Sequence, residues 1–106
     1  MAKAEIFAGK CGYTTLVEAT QTGDDQIKVS LSSGCKSCQK LGAALAEIEV
    51  DPLREISNRG QGSLILEMAP KYLAHPACPV PAGIIKAIEI AAGLALPADA
   101  SIKLTA

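Results

Sequence analysis

Four cysteines and one histidine carry most of the reactive chemistry in this chain of 106 residues. Cys11, Cys35 and Cys78 each lie in a break rich in glycine or proline, where core packing alone does not favour cysteine. Deprotonated cysteines bind zinc and iron–sulfur clusters. His75 precedes Cys78 by three residues and could add a nitrogen ligand. If the segments that carry these residues converge, the sequence predicts a metal site at one end of the domain.

Cys38 differs from the other cysteines because it falls inside a periodic element. One helical stripe consists of Cys38, Leu41, Leu45 and Ile48. Free cysteine often behaves as a small buried hydrophobic residue, so we expect Cys38 to belong to the core. The alternative is that Cys35-Lys36-Ser37-Cys38 acts as a C-x-x-C motif. With Cys11 and Cys78 it would then form a four-thiolate metal site.

The first third of the chain shows patterns that are typical of β-strands. Strand-forming or alternating apolar residues occupy 3–9, 13–20 and 27–31, and a turn-rich connection lies at 21–25. Ile102 and Leu104 alternate in the same way and suggest a last strand over Ser101–Thr105. We therefore expect a small antiparallel sheet of three to four strands.

From Cys35 onward the period changes to that of helices. Three further patterns predict helices: Asp51-Pro52 as cap and first residue, Ser63 capping Leu64–Ala69 before Pro70, and a long stretch from about Pro81 to Ala92. Cys35 and Cys78 would each stand near the start of a helix, where the positive end of the helix dipole favours a thiolate. The predicted fold class is α+β, with the sheet packed against the helices.

Length and composition favour a single domain spanning residues 1–106. Ten basic and eleven acidic residues give a net charge of −1, without the cluster of Lys and Arg that phosphate backbones require. Three aromatic residues and no Trp leave no platform for stacking bases. No apolar run approaches the ~20 residues of a membrane span, and residues 1–5 do not resemble a signal peptide.

We therefore expect a cytosolic protein that binds neither nucleic acid nor membrane. In that compartment cysteines are more naturally thiols or metal ligands than disulfides. The sequence leaves open whether the chain forms homo-oligomers.

The order of the cysteine motifs along the chain is also informative. Cys11-Gly12 opens a strand pair, Gly34-Cys35 leads into a helix, and His75 and Cys78 precede an Ile-Lys-Ala-Ile helix. From about residue 3 to residue 93, this order and its spacings resemble the U-type iron–sulfur scaffold proteins, the NifU N-terminal-like family. The segment from His75 to Pro81 also resembles a small uncharacterised prokaryotic family with a His-x-x-Cys-Pro-Val-Pro signature.

The scaffold resemblance implies a NifU/SufE-like fold in which Cys11, Cys35 and Cys78 ligate an iron–sulfur cluster, with His75 beside the third cysteine. It also implies a cysteine desulfurase or an iron–sulfur recipient protein as a partner.

The chain departs from that family at three places. Tyr13 replaces an Asp that the family associates with cluster lability, so the resemblance implies a more permanent site here. Pro76 and Ala77 separate the histidine and cysteine that are adjacent in the family. The family's Leu-Pro-Pro-Val-Lys chaperone-docking stretch is missing, so delivery through that chaperone is not implied.

We therefore expect a non-enzymatic protein that assembles or carries an iron–sulfur cluster, or holds zinc, on Cys11, Cys35 and Cys78. One alternative is a thiol-redox enzyme that uses Cys35 and Cys38, although thioredoxin-like C-x-x-C motifs belong to a βαβ context. Another alternative is an interaction module with structural cysteines. No local signature favours a hydrolase.

Overall fold

A three-stranded antiparallel sheet forms the first third of the computed structural model, which describes all 106 residues. The strands are β1 (Ala2–Phe7), β2 (Thr14–Gly23) and β3 (Gln26–Ser33). Their spatial order is β1-β2-β3, so β2 is central and each connection joins neighbours. In the register, Val17 lies opposite both Ala4 and Leu31.

Each strand directs alternate side chains to one sheltered face, as a period of two requires. On β2 the inward residues Thr15, Val17 and Ala19 are buried, while their neighbours are exposed. Ile27 and Val29 are buried in the same way on β3. The sheet therefore offers one apolar face for the rest of the chain to cover.

Four helices follow the sheet: α1 (Lys36–Ala46), α2 (Pro52–Ile56), α3 (Leu64–Tyr72) and α4 (Val80–Ala91). Two predicted caps are confirmed. The Asp51 side chain accepts the backbone N–H of Leu53 at 3.0 Å, and the Ser63 hydroxyl accepts that of Leu66 at 3.1 Å. None of these helices has the length and apolar composition that crossing a membrane would require.

Helices α1 and α4 cover the apolar face of the sheet and complete the core. Their fully buried side chains include Leu41, Leu45, Ile84 and Ile88. Helix α4 lies so close to β1 that a Cβ atom at Gly83 would overlap the side chain of Ile6. The α+β class, with an antiparallel sheet packed against helices, is confirmed.

Two predictions about the second half of the chain are wrong. The last strand over 101–105 does not form, and Ile102 and Leu104 are 78% and 87% exposed. An alternating pattern becomes a strand only beside a partner edge, and the structure gives this segment none. Helix α3 does not end at Pro70 but continues to Tyr72, since proline removes only its own N–H donor and the N–H of Leu73 still donates to the carbonyl of Ala69 at 2.8 Å.

A buried carboxylate, which the sequence patterns did not indicate, joins α2 to α3. Glu55 is only 2% exposed. Its carboxylate accepts the hydroxyl of Ser63 and the backbone N–H groups of Leu64 at 2.9 Å and Ile65 at 3.2 Å. These N–H groups belong to the first turn of α3 and have no partner within the helix, so Glu55 supplies their acceptors.

We expect Glu55→Ala to lower the free energy of unfolding by about 2–3 kcal/mol, because buried donors would lose their charged acceptor. Glu67→Ala is the matched control, since Glu67 is an exposed carboxylate in the first turn of the same helix. Urea unfolding of both variants measures the difference. Equal stabilities would show that the Glu55 contacts contribute nothing net.

Candidate functional site

All four cysteines line one cleft at the end of the sheet where β1 and β3 terminate. The cleft has a volume of about 610 Å³, and most of its lining residues are hydrophobic. His75 also lines it. The cysteines come from three parts of the chain that are separated by up to 67 positions in sequence, so their common location is a consequence of the fold.

Cys11 lies in the tight turn that connects β1 to β2. Gly9 and Gly12 have positive φ angles of 85° and 77°, and the N–H of Gly12 donates to the carbonyl of Gly9 at 2.9 Å. Residues with side chains rarely adopt this conformation, so the flanking glycines make the turn possible. The turn presents Cys11 as an exposed thiol at the edge of the cleft.

Cys35 is the N-cap residue of α1 and is partly buried. The Ser33 hydroxyl accepts the backbone N–H of Cys35 at 3.1 Å, which ties the start of the helix to the end of β3. The pKa of Cys35 is lowered mainly by hydrogen bonding to the backbone N–H of Cys38, and that of Ser37 adds to the effect, while burial opposes it. Unpaired N–H groups at a helix start thus favour the thiolate, as predicted.

Cys38 lies at the boundary between the hydrophobic core and the cleft. Its residue is 2% exposed and belongs to the core cluster with Leu41 and Leu45, in agreement with the helical stripe. Its side chain nevertheless also lines the cleft. Burial raises the pKa of Cys38, and the charges of Cys35 and Cys78 raise it further. The thiol of Cys38 is therefore close enough to Cys35 and Cys78 for their charges to affect its pKa.

Cys78 and His75 lie in the proline-rich connection between α3 and α4. The N–H of Cys78 donates to the carbonyl of His75 at 3.2 Å, so the two residues close a tight turn. His75 is exposed, and Cys78 is partly buried two residues before α4 begins at Val80. Both residues line the cleft.

Thr15 is a site residue that the sequence interpretation missed. Its side chain is 1% exposed, lines the cleft and hydrogen-bonds to the Ser33 hydroxyl at 2.8 Å. A hydrogen bond from Thr15 also acts to lower the pKa of Cys38, against the effect of burial. The available signal was a hydroxyl at an inward position of a strand, since buried polar groups need a specific partner.

The structure therefore brings together every cysteine and the histidine that the sequence singled out. No three histidine, cysteine or acidic side chains are arranged closely enough in this structure to hold a metal ion. The arrangement places four thiols along one cleft, and Cys35 and Cys38 are about one helical turn apart at the start of α1. Such groups can ligate soft metals or exchange with disulfides.

We expect iodoacetamide to alkylate Cys35 faster than Cys38 at pH 7, because the thiolate is the reactive form and the two pKa values move in opposite directions. Because the pKa of Cys35 is lowered, its alkylation rate should stop rising at a lower pH than that of an ordinary thiol. Because the pKa of Cys38 is raised, its alkylation rate should stop rising only at a higher pH. Trypsin separates the two cysteines at Lys36, so peptide mass mapping reads each rate. In urea the rates should converge; equal rates in the folded protein would contradict the assignment.

Comparison with known proteins places the chain in a family. No curated protein and no solved structure matches it. A family model, described as a family of unknown function and designated DUF6951, matches residues 2–104. Because the match spans the sheet, all four helices and every cysteine, the chain belongs to the DUF6951 family of unknown function.

Proposed function

We propose that this protein assembles or carries an iron–sulfur cluster, held through the thiolates of Cys11, Cys35 and Cys78. The observation that carries the proposal is the shared cleft: thiols from a β-turn, a helix start and a proline-rich loop line the same cavity. Cys11 is exposed, whereas Cys35 and Cys78 are partly buried against the core and also line the cleft.

The donor set is chemically suited to this role. Thiolates are soft ligands that favour zinc and iron–sulfur clusters over magnesium or calcium. The mostly apolar wall would lower the local dielectric and strengthen metal–thiolate bonding. A cleft of about 610 Å³ has room for a group of several atoms as well as for a single ion. We therefore favour a cluster and treat zinc as the competing ligand in the test.

The positions of the three cysteines support a site that closes around its cargo. Cys35 is held at the start of α1 by the Ser33 hydroxyl. Cys11 and Cys78 lie on loops that line the same cleft, and a Cβ atom at Gly9 or Gly12 would meet no other atom within 4 Å. Small movements of these loops would bring the other two thiols toward Cys35.

Partners follow from the same proposal. An exposed Cys11 at the edge of an open cleft is accessible to another protein. A cysteine desulfurase would supply sulfur as a persulfide, which a two-electron reductant must convert to the sulfide that a cluster requires, and an iron–sulfur recipient protein would accept the product. We propose these two partners only together with cluster binding.

The test is reconstitution of the full chain with iron and sulfide under anaerobic conditions, with zinc alone as the parallel experiment. We expect bound iron, bound sulfide and visible charge-transfer absorption. Serine at position 11, 35 or 78 should lower affinity at least about 10-fold, the loss that follows from disturbing even an outer partner of a metal site. Ala74→Ser, an exposed substitution in the same cleft that removes no thiol, is the matched control.

Two further variants identify a fourth donor. His75→Ala removes the imidazole, and Cys38→Ala removes the buried thiol at a cost of about 1–2 kcal/mol for a small core truncation. Loss of metal in one of them assigns that residue to the site. A wild-type chain that binds neither iron and sulfide nor zinc would contradict the proposed function and would favour structural cysteines instead.

A further inference from the structure

The pair Cys35 and Cys38 has a geometry that the proposed cluster site does not require. Cys35 is the N-cap of α1 and Cys38 lies in its first turn. In standard helix geometry, Cα atoms three residues apart are separated by about 5 Å. This separation lies within the range of about 4.4–6.8 Å that a disulfide spans. The charge of Cys35 contributes to the raised pKa of Cys38, and both residues line the same cleft, so the two thiols are neighbours.

Exposure differs between the two thiols in a way that suits two successive roles. Cys35 is partly exposed at the cleft, where an incoming molecule can reach it. Cys38 is 2% exposed and lies behind it among core side chains. A disulfide from solution can therefore meet Cys35 first, whereas Cys38 is almost fully buried and has Cys35 as a neighbour on the same helix.

The surrounding structure holds both residues in place. Ser33 accepts the backbone N–H of Cys35, and the Thr15 hydroxyl, 2.8 Å from that of Ser33, also interacts with Cys38. Both hydroxyls come from the ends of neighbouring strands. The pair is thus positioned by the rigid junction of the sheet and α1, and the loops that carry Cys11 and Cys78 are not needed.

We infer that the chain has a second activity, dithiol–disulfide exchange with small disulfides, in which Cys35 attacks and Cys38 resolves. In the first step the Cys35 sulfur forms a bond to one sulfur of the substrate disulfide, whose S–S bond breaks and releases one thiol. In the second step the Cys38 sulfur bonds to the Cys35 sulfur and displaces the second thiol. The substrate is reduced by two electrons, the Cys35–Cys38 pair is oxidised, and the two protons leave with the released thiols.

The experiment mixes the reduced full chain with glutathione disulfide in the presence of a metal chelator. We expect two thiols of glutathione to be released for each Cys35–Cys38 disulfide that forms. Trypsin cleaves after Lys28, Lys36 and Lys40, so the new disulfide should join the peptides Val29–Lys36 and Ser37–Lys40. Mass mapping detects this linked pair directly. A disulfide between any other two cysteines, or the absence of a linked pair, would overturn the inference.

Variants separate the two roles. Cys38→Ala should stop after the first step, with one glutathione attached at Cys35 and one thiol released. In a chain that also carries Cys11→Ser, which removes the exposed thiol, Cys35→Ser should release glutathione at least about 10-fold more slowly, since the attacking nucleophile is gone. Cys11→Ser is the matched control, because it removes a thiol of the same cleft but should still give the linked peptides. Glutathione attached at Cys38 in place of Cys35 would contradict the assignment.

The outcome is independent of the proposed cluster function. Exchange in the presence of chelator does not require metal, and Cys11→Ser should lose cluster affinity while it keeps exchange. Cluster binding without exchange would therefore reject this inference alone. Exchange without cluster binding would reject the proposed function alone.

Discussion

Burial of the single apolar face of the sheet beneath α1 and α4 is the interaction on which the rest of the structure depends. Each fully buried Leu or Ile side chain contributes about 1.5–3 kcal/mol relative to exposure, and these helices supply Leu41, Leu45, Ile84 and Ile88. The close approach of α4 to β1, which the absence of a side chain at Gly83 permits, sets the position of that helix. Since both helices start at the same end of the sheet, the same packing brings their preceding cysteines to one cleft.

A small polar arrangement lies where the sheet meets α1. Thr15 and Ser33 pair across β2 and β3, and Ser33 also accepts the N–H of Cys35. Buried hydroxyls are costly unless they are hydrogen-bonded, and no buried side-chain nitrogen or oxygen in this structure lacks a partner. The four cysteines therefore differ in how they are held. Cys35 and Cys38 belong to the start of α1, whereas Cys11 and Cys78 lie in loops.

Cys38 shows how one residue can serve both the core and the chemistry. Its burial beside Leu41 and Leu45 stabilises α1 against the sheet, and the same burial raises its pKa and shields it from solvent. Cys35 experiences the opposite effect from the start of the same helix. A disulfide between the two would remove Cys35 from any set of metal ligands, so the two proposed chemistries exclude each other at any one time.

The local patterns of the sequence determined the types of element and much of their detail. The period of two in the first third became the sheet, the caps at Asp51 and Ser63 formed as predicted, and the helical stripe correctly placed Cys38 in the core. These features depend on neighbouring residues and on backbone hydrogen bonds within one element, which periodicity and capping report directly.

Only the tertiary structure decided which elements meet. It joined four cysteines from distant segments, recruited Thr15 to the site and buried Glu55 against the start of α3. It also left the alternating residues 101–105 without a partner strand. A sequence pattern shows which face of an element is apolar, but the elements that cover that face, and the side chains that become neighbours as a result, depend on packing across the whole chain.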